Sequence, residues 1–125
     1  MSTETFMEIV FAVNVAWLAT HELDAIQRHE WRIFQTFTPF MDRLSDARMY
    51  QLFTAAHIPV FAALIWAGQY EAFQIGFDVF LVGHIGLHWL FRDHPHNEFN
   101  NWFSQFLIVG VAPLAVLHLG LVVGR

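Results

Sequence analysis

The sequence predicts an all-α chain, an integral-membrane four-helix bundle with a cytoplasmic interfacial segment between its first and second helices. Three observations point there. Of the 125 residues, 56% are hydrophobic and only 14% charged, and the mean hydropathy is +0.42. A soluble domain this small exposes too much of its surface to hide so much apolar area. Apolar stretches occupy 6–20, 52–68, 73–91 and 102–123, and about 20 helical residues cross ~30 Å of hydrocarbon. The aromatic residues then sort into two belts, as at membrane interfaces. Trp17, Trp31, Trp89 and Trp102 fall at one boundary, Trp66 and Tyr70 at the other. A soluble bundle would need a polar face on each helix, and the third and fourth stretches have almost none.

The first span is short but extends helically into His21, Glu22, Leu23 and Asp24. A stripe at helical spacing (Asn14, Trp17, His21, Asp24, Arg28) should face the bundle. The connection that follows, 22–50, is long and amphipathic: Trp31, Ile33, Phe34, Phe37, Phe40 and Met41 suit a segment lying in the interface. Pro39 interrupts it, and Ser45 suits the N-cap of the second helix. The second and third spans are joined only by Gln69, Tyr70 and Glu71, which makes them a hairpin. The connection 92–101 is polar, with Asn97, Glu98, Asn100 and Asn101 as candidate caps of the fourth helix. Pro113 should kink that helix. The whole of 1–125 reads as one domain, without repeats or low-complexity tracts.

Arginine sets the expected orientation, since lysine is absent. Arg28, Arg32, Arg43 and Arg48 lie between the first and second spans and Arg92 between the third and fourth, leaving only Arg125 on the other side. The positive-inside rule then places both termini outside the inner (cytoplasmic) membrane and both arginine-bearing loops in the cytoplasm. The acidic start, with Glu4, is not that of a cleavable signal peptide. The absence of cysteine excludes disulfides, thiolate ligands and thiol catalysis. A net charge of −5 offers no reason to expect nucleic acid. Membrane lipids are the expected surroundings, with a homodimer or a partner in a membrane complex as possible company.

Seven of the eight histidines (His21, His29, His57, His84, His88, His94 and His96) fall on the arginine-bearing side. Imidazoles inside a membrane are costly, so such a cluster is a site hypothesis by default. His84 and His88 are at i and i+4, on one helical face. His57 should lie about a turn inside the second span, and His21 ends the first. Imidazole with carboxylate suits zinc or non-haem iron. The candidate metal ligands are therefore His21, Asp24, His57, His84 and His88, with His94 and His96 as additional ones; Glu22 and Glu98 are candidate catalytic bases. The plainer readings are solvated loop histidines, interhelical hydrogen bonds and, for Glu22, Asp24 and Glu30, ordinary helix-end charges. The zincin pattern fails, because His21-Glu22 has no histidine at the required spacing. No phosphate loop or nucleophile elbow is present. On the opposite side, Asp78 and His118 sit at matching depth on antiparallel spans and should pair.

These features favour a metal-dependent membrane enzyme acting on a lipid or other apolar substrate. A b-type cytochrome holding haem b between two histidines is the alternative, and an ion conduit or small subunit of a complex is a third.

The strings His21-Glu22-Leu23-Asp24-Ala25, Glu30-Trp31-Arg32, His84-Ile85-Gly86-Leu87-His88-Trp89 and Glu98-Phe99-Asn100-Asn101-Trp102 resemble a family of small prokaryotic four-helix membrane proteins with no assigned activity. The likeness implies a fold and no reaction. A looser one is to the HxxEE-type membrane domain, where Asp24 and Ala25 replace the two glutamates. Membrane fatty-acid hydroxylases and desaturases offer an architectural analogy, although this chain has no HxxHH box.

Overall fold

The computed structural model describes residues 1–125 and is built of helices: α1 (Thr3–Gln27), α2 (Trp31–Gln35), α3 (Pro39–Asp42), α4 (Asp46–Ala67), α5 (Glu71–Leu90) and α6 (Trp102–Val123). Four of them, α1, α4, α5 and α6, are long and apolar enough to cross a membrane. The short α2 and α3 occupy the long connection, one on each side of the break before Pro39.

Local signals set the boundaries. Ser2 and Ser45 accept from the backbone N–H groups of Thr5 and Arg48, at 3.1 and 3.4 Å, opening α1 and α4. Thr38 does the same for Met41, with Pro39 in the first turn of α3, where its missing N–H costs nothing. Asn101 opens α6 by accepting from Ser104 at 2.9 Å. The end of α1 is a Schellman turn: His29 N–H bonds Ile26 O at 3.2 Å and Glu30 N–H bonds Ala25 O at 3.0 Å. The residue at its left-handed position is His29, with φ of 54°, where glycine is usual. That turn sends the chain back across the end of the bundle, so that Glu30 follows directly over the end of α1.

The spans at 6–20 and 52–68 are extended by polar residues into longer helices. α4 begins at Asp46, six residues before the apolar run at 52, which makes His57 its twelfth residue, roughly 16 Å along its axis. α6 runs unbroken through Pro113, and α4 likewise contains Pro59. In the connection between α1 and α4, Trp31 and Ile33 turn inward and are buried, while Phe37 and Phe40 face outward.

α6 is the central helix and packs along both α5 and α1; α4 is held chiefly by α2, touches α1 over a short length, and barely meets α5. Only Met49 and Leu64 of α4 are buried, against eight residues of α1 and seven of α6. The main core joins Phe11 and Leu18, Leu64, Phe77 and Leu81, and Val111 and Ala115. A second cluster of Ala25, Phe99 and Ile108, flanked by Phe53 and Ile85, closes the end that carries the arginines.

Candidate functional site

The buried stripe of α1 contains Asn14, His21 and Asp24, spaced seven and three residues apart and therefore on one face. Each leads to a different polar cluster.

His21 meets His84 and His88 of α5. Their ligating nitrogens all lie within 4.8 Å of one another. His88 Nε2 is 3.2 Å from His21 Nε2 and 3.2 Å from His84 Nε2. The i, i+4 spacing aims both α5 imidazoles the same way, and the short α1·α5 contact supplies the third. Phe99, 1% exposed, covers the group, with ring centroids 4.8 Å from His88 and 5.8 Å from His21. Glu30 enters from the Schellman turn and brings Oε1 to 3.9 Å from His88 Nε2. Burial, reinforced by the neighbouring charge of Glu22, pushes the Glu30 carboxyl up to about 8. It therefore keeps its proton at neutral pH. A cavity of about 260 Å³ lies beside the group, and Glu22, Glu30, His84 and His88 are all in its wall.

His57 is placed elsewhere. Its Nε2 bonds Glu22 Oε2 at 2.8 Å and its Nδ1 faces Phe53 O at 2.8 Å, so neither nitrogen turns to the three histidines. The stand-off of α4 from α5 accounts for this. Asp24 also lies outside the group: it accepts from Ser104 Oγ at 2.5 Å and from Arg28 Nε at 3.3 Å, tying α1 to the start of α6. Glu98 pairs with His29 Nδ1 at 2.9 Å and Arg32 at 3.4 Å, and Arg32 continues to Asp46 at 2.7 Å. That network is a clasp between loops. His94 lies 3.4 Å from Thr36 Oγ1 and accepts from His96 N–H at 3.2 Å; His96 itself is exposed. Thus the structure joins His21, His84 and His88, and leaves His57, Asp24, His94, His96 and Glu98 in other arrangements. Two neighbours of the triad had been given no site role from sequence. Glu30 reads as a helix-end charge and Phe99 carries no polar group, although both lie in the strings that carry the family resemblance.

The second polar cluster is deep in the bundle. His118 Nδ1 and Asp78 Oδ2 are 2.6 Å apart, and Asn14 Nδ2 donates to Asp78 Oδ1 at 3.1 Å. All three side chains are fully buried. The expected Asp78–His118 pair is present, with Asn14 as a third member.

Fold and site together define a class: an all-helical protein with four helices of membrane-spanning length and a covered three-histidine group at one end of the bundle. The chain belongs to a family of unknown function, DUF6713, which it matches over residues 7–125. No curated protein and no solved structure matches it.

Proposed function

We propose that this protein lies in the inner (cytoplasmic) membrane with both termini outside, and that His21, His84 and His88 bind one transition-metal ion, zinc or non-haem iron, near the cytoplasmic face. The ion would serve an enzyme whose substrate is a lipid or another apolar molecule. The observation that carries the reading is the convergence of three Nε2 atoms with two separations of 3.2 Å. Zn–N bonds of about 2.0–2.1 Å set the edges of a tetrahedral site at about 3.3 Å. Three imidazoles with room beside them leave a coordination position free, as catalytic zinc sites do. Haem would instead need two histidines facing each other across a planar gap, so the convergence supports a single ion. The side chains near the group suit proton handling. Glu22 is held by His57 at 2.8 Å and lines the adjoining cavity, which places it to accept or return a proton. Glu30 is the nearest carboxyl, and it would become a fourth ligand on giving up its proton to the ion's binding. Zinc would supply an activated water for hydrolysis, and iron would supply oxygen chemistry.

Elemental analysis and an absorption spectrum of detergent-purified protein test this together. About one zinc or iron per chain, lost in His84→Ala and His88→Ala and kept in His118→Ala, is the expected result. A metal-free protein would overturn the reading in favour of a non-enzymatic subunit or conduit. A Soret band would replace it with the cytochrome.

A further inference from the structure

A second and larger cavity adjoins the histidine group. It is about 610 Å³, within the ~300–1,000 Å³ range of small-molecule sites. It runs between α4 and α5, with Leu18 of α1 at its back, and exists because α4 stands off from α5. Its walls are kept wide by small residues: Ala56 on α4, Ala72 and Gly76 on α5. A Cβ built at Gly76 meets nothing within 4 Å. Small residues four apart normally let another helix pack closely, yet α4 leaves this pair uncovered. From Ala72 to Phe80 the cavity follows α5 for about 12 Å, and from Phe53 to Leu64 it follows α4 for about 16 Å. It is therefore an elongated slot, apolar along its length. Its one pair of titratable groups is Glu22 and His57, which are bonded to each other. Glu22, Phe53 and Phe80 also belong to the wall of the cavity beside His84 and His88. The slot thus opens towards the histidines.

The geometry points to a binding site for the alkyl chain of a neutral, single-chain lipid, lying between α4 and α5 with its polar end at Glu22 and the histidine group. For what happens at that polar end the proposal rests on the metal-centre reading above; the occupancy of the slot does not. The size selects one chain, since about 610 Å³ suits a single small ligand and Phe61, Phe73 and Phe77 bound the slot. The charge selects a neutral head: Glu22 and Glu30 border the junction, and no lysine or arginine lines either cavity. An ester, an alcohol or an aldehyde fits these surroundings; a phosphate would meet Glu22 and find no lysine or arginine in either wall.

Photolabelling of the purified full chain in nanodiscs tests it, using a long-chain alcohol that carries a diazirine on its tail. Adducts should concentrate on the facing residues of α4 and α5. Gly76→Phe fills the slot where a side chain meets no neighbour, and should lower those adducts about tenfold, equivalent to about 1.4 kcal/mol of binding. Ala56→Phe, on the opposite wall, should act alike and guards against a folding defect in either variant. Gly83→Phe, also open but outside the slot, should leave labelling unchanged. Adducts spread evenly over outward faces, or unaffected by both slot variants, would overturn the proposal. Equal labelling by a diazirine phospholipid would overturn the choice of head and chain number, and a disulfide between two copies of Ala72→Cys would make a second copy the occupant. Metal content measured on the same samples separates the two readings. Slot labelling without metal refutes the metal centre alone, and metal without slot labelling refutes the lipid site alone.

Discussion

His118 and Asp78 illustrate what single residues reveal in a chain like this. Matching depth on consecutive antiparallel spans was enough to pair them from sequence, and they lie 2.6 Å apart. Asn14 was already on the inward stripe of α1, but packing alone sets the rotation of α1 against α5, so its bond to Asp78 was not legible. Removing one member of a buried pair strands the other. Asp78→Asn and His118→Ala should each destabilise by about 1–3 kcal/mol, and the double variant by less than the sum, with a coupling of about 0.5–3 kcal/mol. Thermal unfolding in detergent provides the measurement, and strict additivity would show the two act independently. His57 gives the opposite lesson. Counting from the first apolar residue, Leu52, puts it at the level of the other histidines, where it does bond Glu22 beside His21, but that bond takes its imidazole away from the group. His57→Ala should accordingly leave the metal content of the purified protein intact while His21→Ala removes it. Equal loss in both would return His57 to the ligand set.

Among the elements, α1 and α6 show how closely two helices approach when one offers a glycine. A Cβ at Gly110 would stand 2.6 Å from Trp17 Cζ2, and the Trp17 indole donates to Leu107 O at 2.9 Å just beside it. Gly110→Ala should displace the indole and destabilise by about 1–3 kcal/mol, the usual range for overpacking. At Gly83 and Gly86, where a new Cβ meets nothing, alanine should be neutral or stabilise by about 0.5–1 kcal/mol. Melting temperatures of the three variants under one set of conditions decide it. The start of α6 is likewise separable. Asn101→Ala removes the bond to Ser104 N–H and frees Ser104 Oγ from its second partner. A loss of about 0.5–2 kcal/mol is expected from the cap alone. The helices themselves were readable because α1, α4 and α6 are apolar runs bounded by a serine, an asparagine or a glycine, and α5 is an apolar run that follows α4 after a very short turn. The α2–α3 segment was read as wholly interfacial. Its amphipathic pattern does not say which aromatics turn inward, and Trp31 does so because Asp46 accepts its indole N–H at 3.0 Å.

For the molecule as a whole, the proposed orientation is tested by reporter fusions: one at Arg125 should read outside and one near Arg43 inside. The reverse would move the histidine group to the outer face without dispersing it. The sequence showed that histidines gather at one end, because depth along a helix needs only counting. Which of them converge depends on helix rotation and on how far α4 stands away, and both are products of packing. That stand-off has a consequence for assembly. α1, α5 and α6 share the main contacts and hold both polar clusters between them, while α4 contributes two buried residues and hangs mainly on α2. Although α4 is made before α5 and α6, it is the helix with least to gain by docking until they arrive. It should therefore settle last and open first, and its central amides should be the first of the four long helices to exchange with deuterium. A chain that completes its three-helix kernel before closing the fourth wall passes through a state in which the slot is open along its full length, and it is in that state that a long molecule would enter from the side.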